Sequence, residues 1–192
     1  MSPVLGIMAS SISGSVASSY ESIATITPSG STNTLTFSSI PSTFAHLQIR
    51  YMALAQATST NTYQYMQFNT DTSSGSTNYA THDLNGNGTS ATAGAATSRY
   101  TIWSGYAGGT SSTAYAVGII DIFNYTSTTM NKTTRCLNGY DANGSGGVEL
   151  ASGVWFNSTI QAINSITIFV QEGATARNWT SSSKFALYGI KA

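Results

Sequence analysis

The side chains best suited to nucleophilic or metal chemistry in this chain are few: two histidines, His46 and His82, and one cysteine, Cys136. A hydrolase needs a nucleophile with a base beside it, and the sequence contains no Gly-x-Ser-x-Gly turn that would present one. His82 stands next to Asp83 in a Gly/Asn-rich stretch and could open a metal site or a dyad, but a single pair without further ligands is thin support. His46 alternates outward in AHLQIRYMALAQ (45–56) and reads as a surface residue. A lone cysteine can build no intrachain disulfide, and Cys136, in a strand-like stretch, reads as a buried thiol. The run Asp141-Ala142-Asn143-Gly144-Ser145-Gly146 puts oxygen-bearing side chains at alternate positions, as a calcium loop does. Its twelfth position, however, holds Ser152 instead of a bidentate glutamate, and Asn-Gly favours a tight hairpin turn without any ion. The turn is the preferred reading. No catalytic residue, metal or cofactor is expected.

Aromatic residues offer more. Trp103, Tyr106, Tyr140 and Trp179 lie within or beside polar, Gly-rich segments. An aromatic face next to amide and carboxylate groups suits a sugar ring, whose C–H face stacks while its hydroxyls hydrogen-bond. These four are the candidate glycan-contact residues; the competing reading is that they close the fold or fill a subunit interface. Trp155, in phase with a strand, is expected in the core, whereas Trp179 in its Asn-Trp-Thr loop is expected at the surface.

These residues need strands to position them. The run YAVGIIDIFNY (115–125) is nearly continuous in apolar, β-branched and aromatic residues, which predicts a buried strand at the centre of a sheet. Asp121 within it requires a partner, a place near the strand end, or a neighbouring subunit. YESIATIT (20–27) and LTFSSI (35–40), separated by PSGS, predict a hairpin. In the 45–56 segment Leu47, Ile49, Tyr51 and Ala53 share one face, and TYQYMQFN (62–69) is expected to answer it after a short turn. Residues 70–98 are nearly all turn formers, anchored by Tyr79 and Leu84, and predict a long functional or interface loop. Further strands are expected in 99–106, 132–140, 148–156, 163–171 and 184–192, with Val148, Leu150, Val154 and Phe156 in the apolar phase of the third of these. About nine or ten short strands at ten-residue spacing predict an all-β fold, an antiparallel β-sandwich of jelly-roll-like type, without helices beyond one turn around 157–162.

The totals agree with such a domain. At 192 residues the chain can bury one sizeable core. Seven basic residues balance seven acidic ones and only 7% of the chain is charged, so a phosphate-binding groove for nucleic acid is not expected. Fractions of 41% hydrophobic and 11% aromatic residues argue for a packed fold despite the abundance of Ser and Thr. No run approaches the ~18 apolar residues of a membrane-spanning helix. The N-terminus lacks the basic residues of a secretory signal. Residues 1–19 instead read as an attachment arm whose apolar teeth are Val4, Leu5, Ile7, Met8 and Ile12, leaving 20–192 as the sandwich domain.

Five phrases taken in order, LGIMASSISG, SSYESIATIT, IPSTFAHLQIR, NGYDANGSGG and KFALYGIKA, resemble small virion proteins of tailed bacteriophages described as structural, tail-fibre-like or appendage proteins. The resemblance spans both ends and the middle of the chain. It implies a β-sandwich held on the outside of the particle by its N-terminal arm, contacting other virion proteins, within a homo-oligomer, and without enzymatic activity. A trimer is the favoured state. The function expected is a structural role in the tail, baseplate or fibre apparatus, with the loops 70–98 and 172–183 contacting a host-surface glycan. A capsid decoration (cement) protein and a free carbohydrate-binding module are the alternatives.

Overall fold

A computed structural model of the chain describes residues 19–73 and 75–191. The proposed arm residues Val4, Leu5, Ile7, Met8 and Ile12 lie outside this range. Thirteen strands follow one another: β1 (Tyr20–Ile26), β2 (Thr34–Phe37), β3 (His46–Ala55), β4 (Asn61–Phe68), β5 (Tyr79–Gly86), β6 (Ala91–Arg99), β7 (Ile102–Gly109), β8 (Ala116–Phe123), β9 (Lys132–Asp141), β10 (Gly146–Trp155), β11 (Ile166–Glu172), β12 (Thr175–Ala176) and β13 (Lys184–Ile190). No helix occurs among the described residues.

The strands form a sandwich-like, all-β fold. One layer runs β1-β13-β3-β8-β9-β10-β5-β6 and is antiparallel throughout. The other runs β7-β4-β11, with β2 and β12 both on the outer side of β11. Where β3 ends, Leu54 and Ala55 pair in parallel with Gly108 and Gly109 of β7, so the hydrogen bonding passes from one layer into the other. Strand β7 then folds over β8, β9 and β10. As the 45–56 pattern predicts, Leu47, Ile49, Tyr51 and Ala53 face the core. Strand β8 lies centrally between β3 and β9, but it is buried on one face only: Ile120 and Ile122 point inward while Val117 and Ile119 are exposed. Strands this rich in Val, Ile and aromatic residues suit a pleated, half-buried surface.

Several expectations are corrected. Strands β1 and β2 form no hairpin: β1 pairs with β13 in the first layer and β2 with β11 in the second. Nor does β4 answer β3, because it crosses to the other layer between β7 and β11. Local turn chemistry specifies that the chain reverses, not which sheet it rejoins. Residues 70–98 are not one long loop: from Tyr79 on, β5 and β6 form a hairpin whose second strand is made almost entirely of small residues, which side-chain hydrophobicity does not reveal. Tyr79 anchors it, with a fully buried ring stacked 6.2 Å from Trp155, and its Oη donating to the Asp71 carbonyl at 3.0 Å. The turn after β9 is a two-residue hairpin with Asn143 and Gly144 both at positive φ, and Asp141 accepts from the Asn143 N–H at 2.8 Å.

The phase of β10 is the reverse of that expected. Glu149, Ala151 and Trp155 point into the sandwich, while Val148, Leu150 and Phe156 are exposed. Trp155, the largest side chain of the strand, takes the inward phase and packs against Phe68 and Tyr79.

Candidate functional site

A cleft of about 740 Å³ opens between the β5–β6 hairpin and the outer face of the β7-β4-β11 layer. Its walls include Tyr65, Trp103, Asp83, Arg99 and Gln171. Three local structures fix them. The β6 wall is smooth because Asp83 lies over Gly94, where an added Cβ would meet the carboxylate at 2.6 Å. The opposite wall, at the β11–β12 turn, is tied down by Glu172. Its carboxylate accepts from the Ser59 hydroxyl, the Ser59 N–H at 2.8 Å and Thr58, and pairs with Arg177. Those hydrogen bonds, the Ser59 hydroxyl's above all, hold the carboxyl down to about 2.

The third structure is a bulge in β7. Pairing with β4 skips Ser104, so Tyr65 faces Trp103 while Gln64 faces Gly105. Gly105 sits at φ +111°, and a Cβ there would come within 2.5 Å of the Tyr51 hydroxyl and 2.7 Å of Asn138. Only glycine meets both demands. The bulge lets the Trp103 indole N–H donate to the Gly105 carbonyl at 3.1 Å, while its backbone N–H donates to Thr81 at 3.1 Å. Trp103 is thereby locked half-buried beside the cleft. Behind it stands a ring cluster: Tyr63 edge-on at 4.9 Å, Tyr106 at 6.1 Å, and Tyr140 edge-on to Tyr106 at 5.3 Å.

Beneath this cluster, between the layers, lies a polar strip. Glu149 is fully buried, with Asn138 donating to its Oε2 at 2.9 Å and no partner for Oε1. Burial pushes the carboxyl up to about 7, against the pull of the Asn138 hydrogen bond, and Asp83 adds to the rise. Tyr106, bound by the Asn85 amide, is likewise raised, chiefly by burial. Cys136 is buried, and desolvation pushes its thiol up to about 12, so it stays protonated.

Of the four candidate glycan contacts, the structure brings three together and removes one. Trp103 lines the cleft; Tyr106, buried, and Tyr140, half-buried, prop it from behind. Trp179 is not at the surface. It is fully buried, edge-on to Phe185 at 4.9 Å, and its backbone is stitched to Ala55 and to the Thr32 carbonyl. His82 and Asp83, as neighbours on a strand, face opposite sides of their sheet and form no joint site. His46 accepts from the Asn124 N–H at 3.1 Å and packs edge-on to Phe123. Asp121, third from the end of β8, has the partners its burial requires: Gln48 and Arg135 donate to it at 2.8 and 2.7 Å across adjacent strands.

Tyr65, Arg99 and Glu149 were not singled out from the sequence, and Asp83 was noticed only as a neighbour of His82. Among the described residues, no ion pair uses Asp83 or Arg99, which leaves one anion and one cation available to the cleft. The arrangement can stack a flat or ring-shaped ligand on Trp103 and Tyr65 and address its hydroxyls from both charges. No cluster of metal-ligating side chains occurs among the described residues, and no described helix is long and apolar enough to cross a membrane. No family model, curated protein or solved structure matches this chain.

Proposed function

We propose that this protein is a non-enzymatic structural component of a bacteriophage tail, baseplate or fibre apparatus, and that its cleft binds a glycan of the host surface. The virion role is supported by the resemblance of the ordered sequence phrases to small tailed-phage structural proteins and by the low charge, which suits assembly more than steering. In this reading residues 1–19 attach the domain to other virion proteins on the outside of the particle, and copies associate with one another.

The observation that carries the glycan role is the cleft itself: aromatic faces at Trp103 and Tyr65, a free carboxylate at Asp83 and a free guanidinium at Arg99 within about 740 Å³. That volume falls within the range of small-ligand sites. The test is a glycan array probed with the full chain and with Trp103→Ala. The expected result is binding to a restricted set of sugars that falls at least tenfold in the variant, which keeps the wild-type thermal melt. Equal binding by both proteins, or none by either, contradicts it.

A capsid cement protein is the second reading, favoured by the leucines and valines that β5, β8, β9 and β10 expose on the outer face of the first layer. A free carbohydrate-binding module would share the cleft and dispense with residues 1–19.

A further inference from the structure

The two charges of the cleft stand at opposite ends of it. Asp83 pairs across the hairpin with Gly94, and Arg99 pairs with Tyr79, four residues back along β5. At about 3.3 Å per strand residue, the two backbone positions are about 13 Å apart. Their surroundings differ accordingly. Burial raises the Glu149 carboxyl and Asp83 adds to the rise, so this end of the cleft is negative. Burial also raises the Tyr65 hydroxyl, Tyr100 and Tyr63 add to it, and Arg99 opposes it. Arg99 therefore sits with Tyr65 and Tyr100 at a positive end. Trp103 stands between, donating its backbone N–H to Thr81 and lying opposite Tyr65. Thr81 is two positions from Asp83, on the same face of β5.

A bulge turns Arg99 to this side. Gly94 and Ala96 share a phase with Asp83 and Thr81, and simple alternation would bring Ser98 into that phase next. Instead Ser98 takes φ +52° and the ladder shifts, so that Arg99 opposes Tyr79 and its side chain lines the cleft. A left-handed serine is a strained conformation, and here it delivers a guanidinium. Neither Asp83 nor Arg99 has an ion-pair partner among the described residues, in a chain with only seven acidic and seven basic side chains.

We propose, building on the glycan reading above, that the cleft binds a zwitterionic oligosaccharide, with a free amine on one sugar against Asp83 and Trp103 and a carboxylate on another against Arg99. A bound sugar strips water from both charges, and a neutral one offers only hydroxyl hydrogen bonds in exchange. A singly charged sugar is matched at one end and opposed at the other. An ammonium also gains from the indole face, and a carboxylate can accept two parallel N–H bonds from a guanidinium. The separation of the two ends assigns the amine and the acid to different sugar units.

The experiment is isothermal titration of the full chain with a tetrasaccharide of alternating glucuronic acid and glucosamine. It is prepared in four forms: both charges free, amines acetylated, carboxyls reduced, and both groups blocked. The glycan array is read in parallel, sorted by charge. The expected result is that zwitterionic sugars lead the array, and that the doubly charged tetrasaccharide binds roughly tenfold or more tighter than the other forms. Its affinity should fall as salt is raised. Asp83→Asn should lose the preference for the free amine and keep that for the carboxylate, and Arg99→Gln should do the reverse. If one variant does not fold, the other carries the comparison. Equal binding of all four forms, or array binding confined to neutral or singly charged sugars, overturns the proposal and leaves the glycan reading standing. Binding to no sugar at all overturns both. A charge preference that neither substitution alters also overturns the proposal.

Discussion

At the scale of the residue, Gly105 governs whether Trp103 can stand at the cleft. Its φ of +111° and the closeness of Tyr51 and Asn138 leave no room for a methyl group. Gly105→Ala is expected to cost on the order of 3 kcal/mol, read from urea unfolding, through combined backbone strain and overlap. Glu149 makes a second, signed prediction. Its carboxyl ionises near 7 when folded and near about 4.3 when unfolded, so between those values the folded state binds the extra proton. Stability therefore falls as pH rises through this window, by at most about 4 kcal/mol, and is fully retained only below it. Thermal melts from pH 4 to about 8 should show that decline. Glu149→Gln should flatten it and melt above the wild type at the upper end. The sequence shows these residues unevenly. Trp103 was legible because an indole in a polar, glycine-rich setting is unusual, whereas the burial of Trp179 depends on residues 172–183 folding back over β3 to reach Ala55, a contact of long range. Glu149 was hidden by the more conspicuous leucine and valine on either side of it.

At the scale of the element, β10 is the instructive strand. Two apolar phases compete in VELASGVWF (148–156), and the strand buries Trp155 while Val148, Leu150 and Phe156 are left exposed. Trp155→Ala is expected to cost about 3–5 kcal/mol, since it empties a site packed against Phe68 and Tyr79. Leu150→Ser, on the opposite phase, should stay within about 0.5 kcal/mol when measured in dilute protein. Equal losses from denaturant unfolding of the two variants would refute the assigned phase. The β5–β6 hairpin teaches a related lesson. Ala, Gly and Thr make β6 a strand through its ladder to β5 and not through burial, and most of its side chains remain exposed. Composition alone marks such a stretch as turn-forming, so an interface-sized hairpin reads as a loop.

At the scale of the whole molecule, strand-forming periodicity and regular turns made the all-β sandwich legible. Which strand pairs with which was not, because consecutive strands repeatedly exchange layers and their partners lie far away in sequence, as β1 with β13 and β2 with β11 do. The two layers divide the surface between them. The β7-β4-β11 layer contributes Trp103 and Tyr65 to a cleft that also holds the unpaired Asp83 and Arg99, and the longer layer exposes leucines and valines on its outer face. The proposed role, held in an assembly while touching a carbohydrate, would use both kinds of surface. The most direct test of that account is a cryo-electron microscopy reconstruction of the phage particle with this chain located in the density. The account predicts density on the tail or baseplate, with the Trp103 cleft turned outward. Density over capsomer junctions, or absence of the chain from the particle, would contradict it.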